Sequence, residues 1–380
     1  MDPQIISTGE NEDGVYSFEI LNVDVSVVNS LRRTLMTHIK MLVFRGFPHS
    51  ENNLIFHKNK SKFNNEYLKQ RIECIPIHES NEKNFQSIVD NYAIRLKVVN
   101  NDSSMRTCTT NDFEIISKST GNSIKDSKTL VERLFPQDRI SKGYVPICVL
   151  MPKISDTDEP EEIDATFYFS IGEVFDIERN YRNECWNAVS KCAYFNKPDD
   201  KRVQAELVKK PENEKRDFEL LDSQRLYFPN QFVFKMQSIG VYTNSKLITK
   251  ASNYLIERFR DIIYYLSNKS SIGTEEEYSF EKLPFSLYKS TKINTMYEMH
   301  INHDDYTIGK LIENHMHLMF VKDIYYISFK KDHPHSSLCK IEFTYRNEVT
   351  EEVVIQNIKE ICEVIISIYE KIIGYISKNE

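Results

Sequence analysis

Apolar residues recur at helical spacing between positions 26 and 40. Val27, Val28, Leu31, Leu35 and Ile39 fall in one sector when the chain is wound at about 100° per residue. The pattern predicts an amphipathic helix, with Asn22, Asp24 or Ser26 available to cap its first turn. Arg32 lies at the edge of the apolar sector. Arg33 lies nearly opposite its centre, on the face it shares with Asn29 four residues earlier. One stripe therefore needs an apolar partner, and a basic, amide-bearing face is left for something else. On either side the period drops to two. Residues 15–21 and 41–47 read as strands, the second stopped by Pro48; a short strand at 54–57 and a helix from 64 to Pro76 follow.

From 80 to 210 short β-like runs at 92–99, 144–151 and 166–169 alternate with polar turns, the texture of a separate domain inserted into the first. A helix over 212–227 and a strand carrying Phe232, Phe234 and Met236 come next. A longer helix over 244–266 is striped by Ile248, Ala251, Leu255, Phe259, Ile262 and Leu266. The polar, uncapped stretch SNKSSIGTEEE then reads as a linker.

The last part of the chain repeats this order. A strand over 295–301 leads to Asp304 or Asp305 as cap for a helix over 306–320, with Ile308, Leu311, Ile312, His315 and Met319 on one face. Strands at 324–329 and 340–345 flank the turn KKDHPHSS. The final helix, 351–377, places Val354, Ile358, Ile361, Ile365, Ile368 and Ile372 at 4,3,4,3 spacing, a heptad seam that needs a helical partner. Gly309 sits mid-helix at a cost of ~1 kcal/mol relative to alanine, which points to close approach of another backbone and a tight helix–helix crossing. The expected fold is α+β. Residues 1–79 and 211–268 form a first module, 80–210 a β-rich insertion, 269–289 a linker and 290–380 a second module.

Composition narrows the function. With 380 residues the chain can hold two or three cores. Its 49 basic and 56 acidic residues leave a net charge of −7 with no long basic run, which argues against an independent duplex-DNA binder. The N-terminus is acidic and polar, and no window offers 18 uncharged apolar residues, so neither a leader nor a membrane span is expected. Seven cysteines without framework spacing indicate free thiols in a reducing, intracellular setting. Cys74, Cys108 and Cys148 stand alone, Cys185 and Cys192 form no C-x2-C pair, and no metal or cofactor is expected. The H-x-H pairs His315/His317 and His333/His335 read as core or surface histidines. No Walker loop, GxSxG, HExxH or DxDGD-like motif is present, and Cys74 near His78 reads as structural, so no catalytic residue is assigned.

The segment VDVSVVNSLRRTLMTHIKMLVFRGF resembles the opening of the α-like subunits of cellular RNA polymerases: the bacterial alpha type, the archaeal D type and the third-largest eukaryotic type. Asn29-Ser30-Leu31-Arg32-Arg33 stands at that family's N-x-x-R-R helix. Asn64-Asn65-Glu66 and Arg71-Ile72-Glu73-Cys74-Ile75-Pro76 match its N-x-E and R-L-x-x-I-P elements, and residues 232–240 match the strand before its closing helix, with Gln237 where Glu is usual. The tail is similar to the small α-like type, the archaeal L or eleventh eukaryotic kind. Asp304-Asp305-Tyr306-Thr307-Ile308-Gly309-Lys310-Leu311 stands over E-D-H-T-L-G-N-L, and His333-Pro334 over its H-P turn. Tyr306, Lys310 and His335 depart from that pattern. Both types in one chain resemble the arrangement in nucleocytoplasmic large DNA viruses.

The resemblance implies a non-catalytic assembly platform of a DNA-dependent RNA polymerase. Its two modules would pair within the chain, through Leu31, Leu35 and Ile39 against Ile308, Gly309, Leu311 and Ile312, and along Ile361, Ile365 and Ile368. A linker reaching roughly 20 Å would hold them at an effective concentration of roughly millimolar. Asn29, Arg32, Arg33, Asn65, Glu66 and Arg71 would dock the second-largest and largest subunits, beside small polymerase subunits. DNA and RNA would be met only through the complex, with no membrane and no homo-oligomer required. Family members that hold zinc or an iron–sulfur cluster do so with four cysteines in the inserted domain, a set not matched here. For a viral chain the resemblance implies host cytoplasm and virion, with the nucleus as the alternative. An adaptor using the same fold outside transcription is the second reading.

Overall fold

A computed structural model describes residues 2–138, 140–153, 155, 159–176, 181–268, 272–274, 285–302, 306–333, 336 and 338–378. The chain opens with β1 (Gln4–Glu10), β2 (Tyr16–Leu21), α1 (Val25–Thr37), β3 (Met41–Phe44), β4 (Leu54–Asn59) and α2 (Asn65–Glu73). The middle supplies α3 (Phe85–Asn91), β5 (Tyr92–Asn100), β6 (Arg106–Thr109), β7 (Phe113–Ser117), α4 (Ser127–Leu134), β8 (Pro146–Leu150) and β9 (Glu161–Gly172). Next come β10 (Phe175–Asp176), β11 (Tyr181–Arg182), β12 (Val189–Pro198), α5 (Asp200–Leu207), α6 (Glu212–Leu220), β13 (Tyr227–Ser238) and α7 (Asn244–Asn268). The rear comprises β14 (Gly273–Thr274), β15 (Phe285–Lys289), β16 (Met296–Asn302), α8 (Tyr306–Met319), β17 (Ile324–Lys330), β18 (Leu338–Tyr345) and α9 (Glu351–Lys378). The fold is α+β.

Two sheets, each covered by a pair of helices, face one another through those helices. The front sheet runs β1-β2-β13-β12, all antiparallel. Alternation sets its register: Phe18 lies opposite Phe234 and Ile20 opposite Phe232, and the Phe18 and Phe234 rings stack with centroids 5.0 Å apart. The rear sheet runs β14-β15-β16-β18-β17, with Met299 opposite Ile341 and Tyr297 opposite Phe343. Between the sheets α1 packs on α8 and α7 on α9.

One continuous core joins the two units. It includes Val27, Leu31 and Leu35 of α1, Leu255 and Phe259 of α7, Ile308 and Leu311 of α8, and Ile361 and Ile365 of α9. Each such side chain contributes about 1.5–3 kcal/mol on burial, so neither helix pair is stable as an exposed surface. On α9, Cys362 and Tyr369 are buried beside the isoleucine stripe, giving a broader contact than a two-stranded coiled-coil seam.

A third sheet, β3-β9-β5-β7, lies over a separate core. Strand β9 is 12 residues long and reaches two partners along one edge: Leu54 of β4 lies opposite Phe167, and Phe44 of β3 opposite Phe169. Leu42, Phe44, Leu54, Leu68 and Ile72 therefore share the core of Ile94, Leu96, Ile163 and Phe167. The pairing divides the chain at points other than 80 and 210: residues from β3 to α2 join the inserted layer, and β12 joins the front sheet.

Further differences are local. The helix expected over 212–227 stops at Leu220, and β13 starts at Tyr227. Strands β1, β12 and β15 were not expected; β15 falls within the stretch assigned to the linker and buries Phe285 and Leu287 in the shared core. Asp304, Asp305, Pro334, His335 and most of the linker lie outside the described residues. Among the described residues no helix is long and apolar enough to cross a membrane.

Gly309 departs from expectation in an informative way. An aromatic ring, not a backbone, takes the space: a Cβ there would collide with Cε2 of Phe329, which reaches over α8 from β17. Gly309→Ala should lower stability by about 1–3 kcal/mol through overpacking, despite the better helix propensity of alanine. Urea denaturation of the two proteins tests this; a stabilised variant would show that the ring yields at no cost.

Candidate interaction sites

The interface between the two units carries a few polar contacts inside its apolar stripe. Asp24, the N-cap of α1, accepts Ser26 N at 2.7 Å, and its Oδ1 also takes a hydrogen bond from Asn314 of α8. Asn314 donates to Ser26 Oγ at 3.3 Å as well. The rear unit thus completes the cap of the front helix. Deeper in, the fully buried Tyr369 hydroxyl lies 2.5 Å from Ser30 Oγ and donates to Val27 O at 3.2 Å, while burial raises its pKa. Ser30 and Tyr369 carry no sequence signal beyond a position flanking an apolar stripe. The Tyr369 hydroxyl fixes the register between α1 and α9, since a slip would leave it buried without a partner, whereas Ser30 Oγ also donates to Val27 O of its own helix at 2.8 Å.

The residues expected to pair the units are buried, all but Gly309 in the core common to both units. Leu31, Leu35, Ile39, Ile308, Leu311, Ile312, Ile361, Ile365 and Ile368 belong to the shared core, whereas Gly309, also buried, lies beneath Phe329 of the rear sheet. The residues expected to dock other proteins divide. Asn29 and Arg32 are half-buried and bonded to each other, with Arg32 Nε and Nη2 donating to Asn29 Oδ1 at 3.2 and 3.0 Å. Arg33 does not face away from the chain: its Nε donates to Thr307 Oγ1 of α8 at 3.0 Å, placing it on the rim of the intrachain interface. Arg71 donates to the carbonyls of Ile147 and Pro146, both at 2.9 Å, and so ties α2 to β8. Asn65 and Glu66 are exposed on the first turn of α2, where Asn65 accepts a bond from Asn59 at 2.8 Å.

Beside α2 lies an open groove that the sequence did not mark. Phe47, Tyr67, Tyr181, Glu66, Glu73 and Glu184 line it, with Asn183 and Arg182 on the far wall. It forms because Asn183, following β11, reaches back to Glu73 at the end of α2, 3.1 Å away. Nearby, Trp186 is 2% exposed, donates Nε1 to Phe44 O at 3.2 Å and lies 4.7 Å under the buried guanidinium of Arg45. Gly172 makes room for this ring: a Cβ there would stand 3.0 Å from Trp186 and 2.8 Å from Val43.

The cysteines are less isolated than their spacing implies. Cys108 and Cys148 lie opposite one another on β6 and β8, both buried. Cys74, exposed at the end of α2, shares a hydrogen bond with Cys185, which draws the Cys74 thiol down to about 7 and pushes that of Cys185 up. Among the described residues no group of three or more His, Cys, Asp or Glu side chains is placed to hold a metal ion.

His315 and His317 separate, His317 exposed and His315 only 1% exposed at the α8 interface. His315 Nδ1 lies 2.8 Å from Leu311 O, its Nε2 has no partner among the described residues, and burial holds its pKa below the usual 6.5. An unfolded chain takes up this proton near 6.5, the folded chain only at lower pH. Stability contributed by the neutral ring is therefore present above 6.5 and lost as pH falls below it. His315→Met should flatten the pH dependence of the thermal midpoint just below 6.5; identical slopes would remove His315 as the cause.

A family model described as the RNA polymerase Rpb3/Rpb11 dimerisation domain matches residues 17–259. The match spans the front unit and the layer inserted into it. No curated protein matches the chain.

Proposed function

The chain belongs to the RNA polymerase Rpb3/Rpb11 dimerisation-domain family, and from that premise we propose that it is a complete assembly platform in a single polypeptide. The family assigns it to RNA polymerase as an α-like assembly subunit. The finer proposal is that the rear unit takes the place of the small α-like partner, so that the pairing other members make between chains is made here within one. The observation that carries it is the single core shared by α1, α7, α8 and α9, reinforced by the Asn314–Asp24 and Tyr369–Ser30 contacts across it. A dimerisation surface already covered by its own chain has no need of a second copy. What remains outward is the α2 face with Asn65 and Glu66, together with the bonded pair Asn29–Arg32. These are the residues to which the docking of the second-largest subunit, and then the largest, is assigned. Arg33 and Arg71 support that surface from inside by holding α8 and β8. Purification of the native assembly through a tag on this chain tests the proposal. Both large subunits and nucleotide-polymerising activity should co-purify, while the isolated chain turns over no nucleotide. Recovery in a small complex without the large subunits would overturn it.

A further inference from the structure

Glu73 presents an unusual carboxylate. Gly46 N at 2.8 Å, Phe47 N at 3.2 Å and Asn183 Nδ2 at 3.1 Å all donate to the same oxygen, Oε1. Among the described residues Oε2 takes no hydrogen bond, although the residue is only 3% exposed and lines the groove beside α2. With most of the residue withdrawn from water and Oε2 open only toward the groove, the carboxylate gains from a cation that meets that oxygen there. Arg45, whose charge acts on Glu73 from a distance, makes its own ion pair with Glu51 at 3.2 Å and lies over Trp186. Burial drives the Glu73 pKa upward, against the opposing pull of the Gly46 and Phe47 amides, the Asn183 amide and the Arg45 charge.

The walls of the groove define what would satisfy this oxygen. Phe47, Tyr67 and Tyr181 supply aromatic surface, and Glu66 and Glu184 add negative charge at the mouth. Arg182, the basic residue among the lining, is 3.7 Å from Glu184. An aromatic-walled cleft with a half-satisfied carboxylate suits a long apolar stem ending in a cation. A guanidinium fits better than an ammonium, because its plane stacks on tyrosine and its fork matches a carboxylate. The lining includes Glu66, one of the residues to which docking of the large subunit is assigned above.

We propose that this groove is the receptor for an arginine side chain of the second-largest polymerase subunit, its guanidinium meeting Glu73 Oε2 between Tyr67 and Tyr181. The site presupposes the polymerase role proposed above. Glu73→Gln keeps an oxygen for Gly46, Phe47 and Asn183 and removes the charge. Its thermal midpoint should match or exceed that of the wild type, while recovery of the second-largest subunit in tagged purification falls at least tenfold. Raising the salt should lower recovery steeply with wild type and weakly with Glu73→Gln. If both proteins recover the subunit equally, the arginine receptor is overturned and the polymerase role stands. If the wild type recovers no polymerase subunit, both fall. Should Glu73→Gln also lose stability, Tyr67→Leu on the exposed wall decides: reduced recovery upholds the site, and unchanged recovery overturns it.

Discussion

Leu31→Asp should abolish the cooperative fold of both helix-bearing units at once. Leu31 is fully buried in the core shared by α1, α7, α8 and α9. A carboxylate there would lose the apolar contacts of leucine and would be taken out of water with no cation placed to meet it. The second term alone is several kcal/mol, and together they exceed about 4–5 kcal/mol. Against a typical net stability of about 5–15 kcal/mol, this leaves little or no folded population at 37 °C. The loss should extend to the rear sheet although Leu31 belongs to the front helix, because α8 packs on α1. Hydrogen exchange resolved by segment is the measurement: protection should collapse in 306–320 and 351–377 as well as in 26–40. Protection retained in the rear helices would show that the two units fold independently.

Trp186→Ala should be the next most damaging change, at about 3–5 kcal/mol. The indole fills the junction between the front unit and the inserted layer, against Gly172, and donates to Phe44 O. It also carries the Arg45 guanidinium, which is 4% exposed. Truncation therefore opens a cavity, orphans a carbonyl and strips a buried cation of its ring in one step. Denaturant unfolding should show a lowered midpoint with early loss of structure in the inserted layer. A destabilisation below about 1 kcal/mol, the range of ordinary surface changes, would mean that the junction is held elsewhere.

What the sequence disclosed follows from which forces are local. The helices α1, α7, α8 and α9 are long enough for their apolar periods to stand out, and all four lie close to the stretches expected. Strands β12 and β15 escaped notice because their polar and apolar residues do not alternate cleanly. In β15, Phe285, Ser286, Leu287 and Tyr288 are all buried, on two covered faces. The division of the chain was illegible for a different reason. That β9 would pair with both β3 and β4 is a matter of strand length and long-range register, neither visible in a run of residues.

The candidate sites follow the same line. The apolar members of the interface could be read from spacing, whereas Arg33 could not: a helix index gives a direction, not the presence of Thr307 across the gap. Gly309 was marked as a close-approach position, but only the fold identifies Phe329 as the neighbour. Glu73 gave no signal, because its surroundings come from residues 46, 47 and 183.

The central claim, that the rear unit covers the front helices of its own chain, is tested by cutting the connection between them. A specific protease site placed between residues 277 and 281 of the full-length protein, cleaved after folding, yields two pieces joined by no covalent bond. Size-exclusion chromatography with light scattering after dilution should return a single species with the mass of the uncut chain. Two separate species, each at its own mass, would contradict the claim.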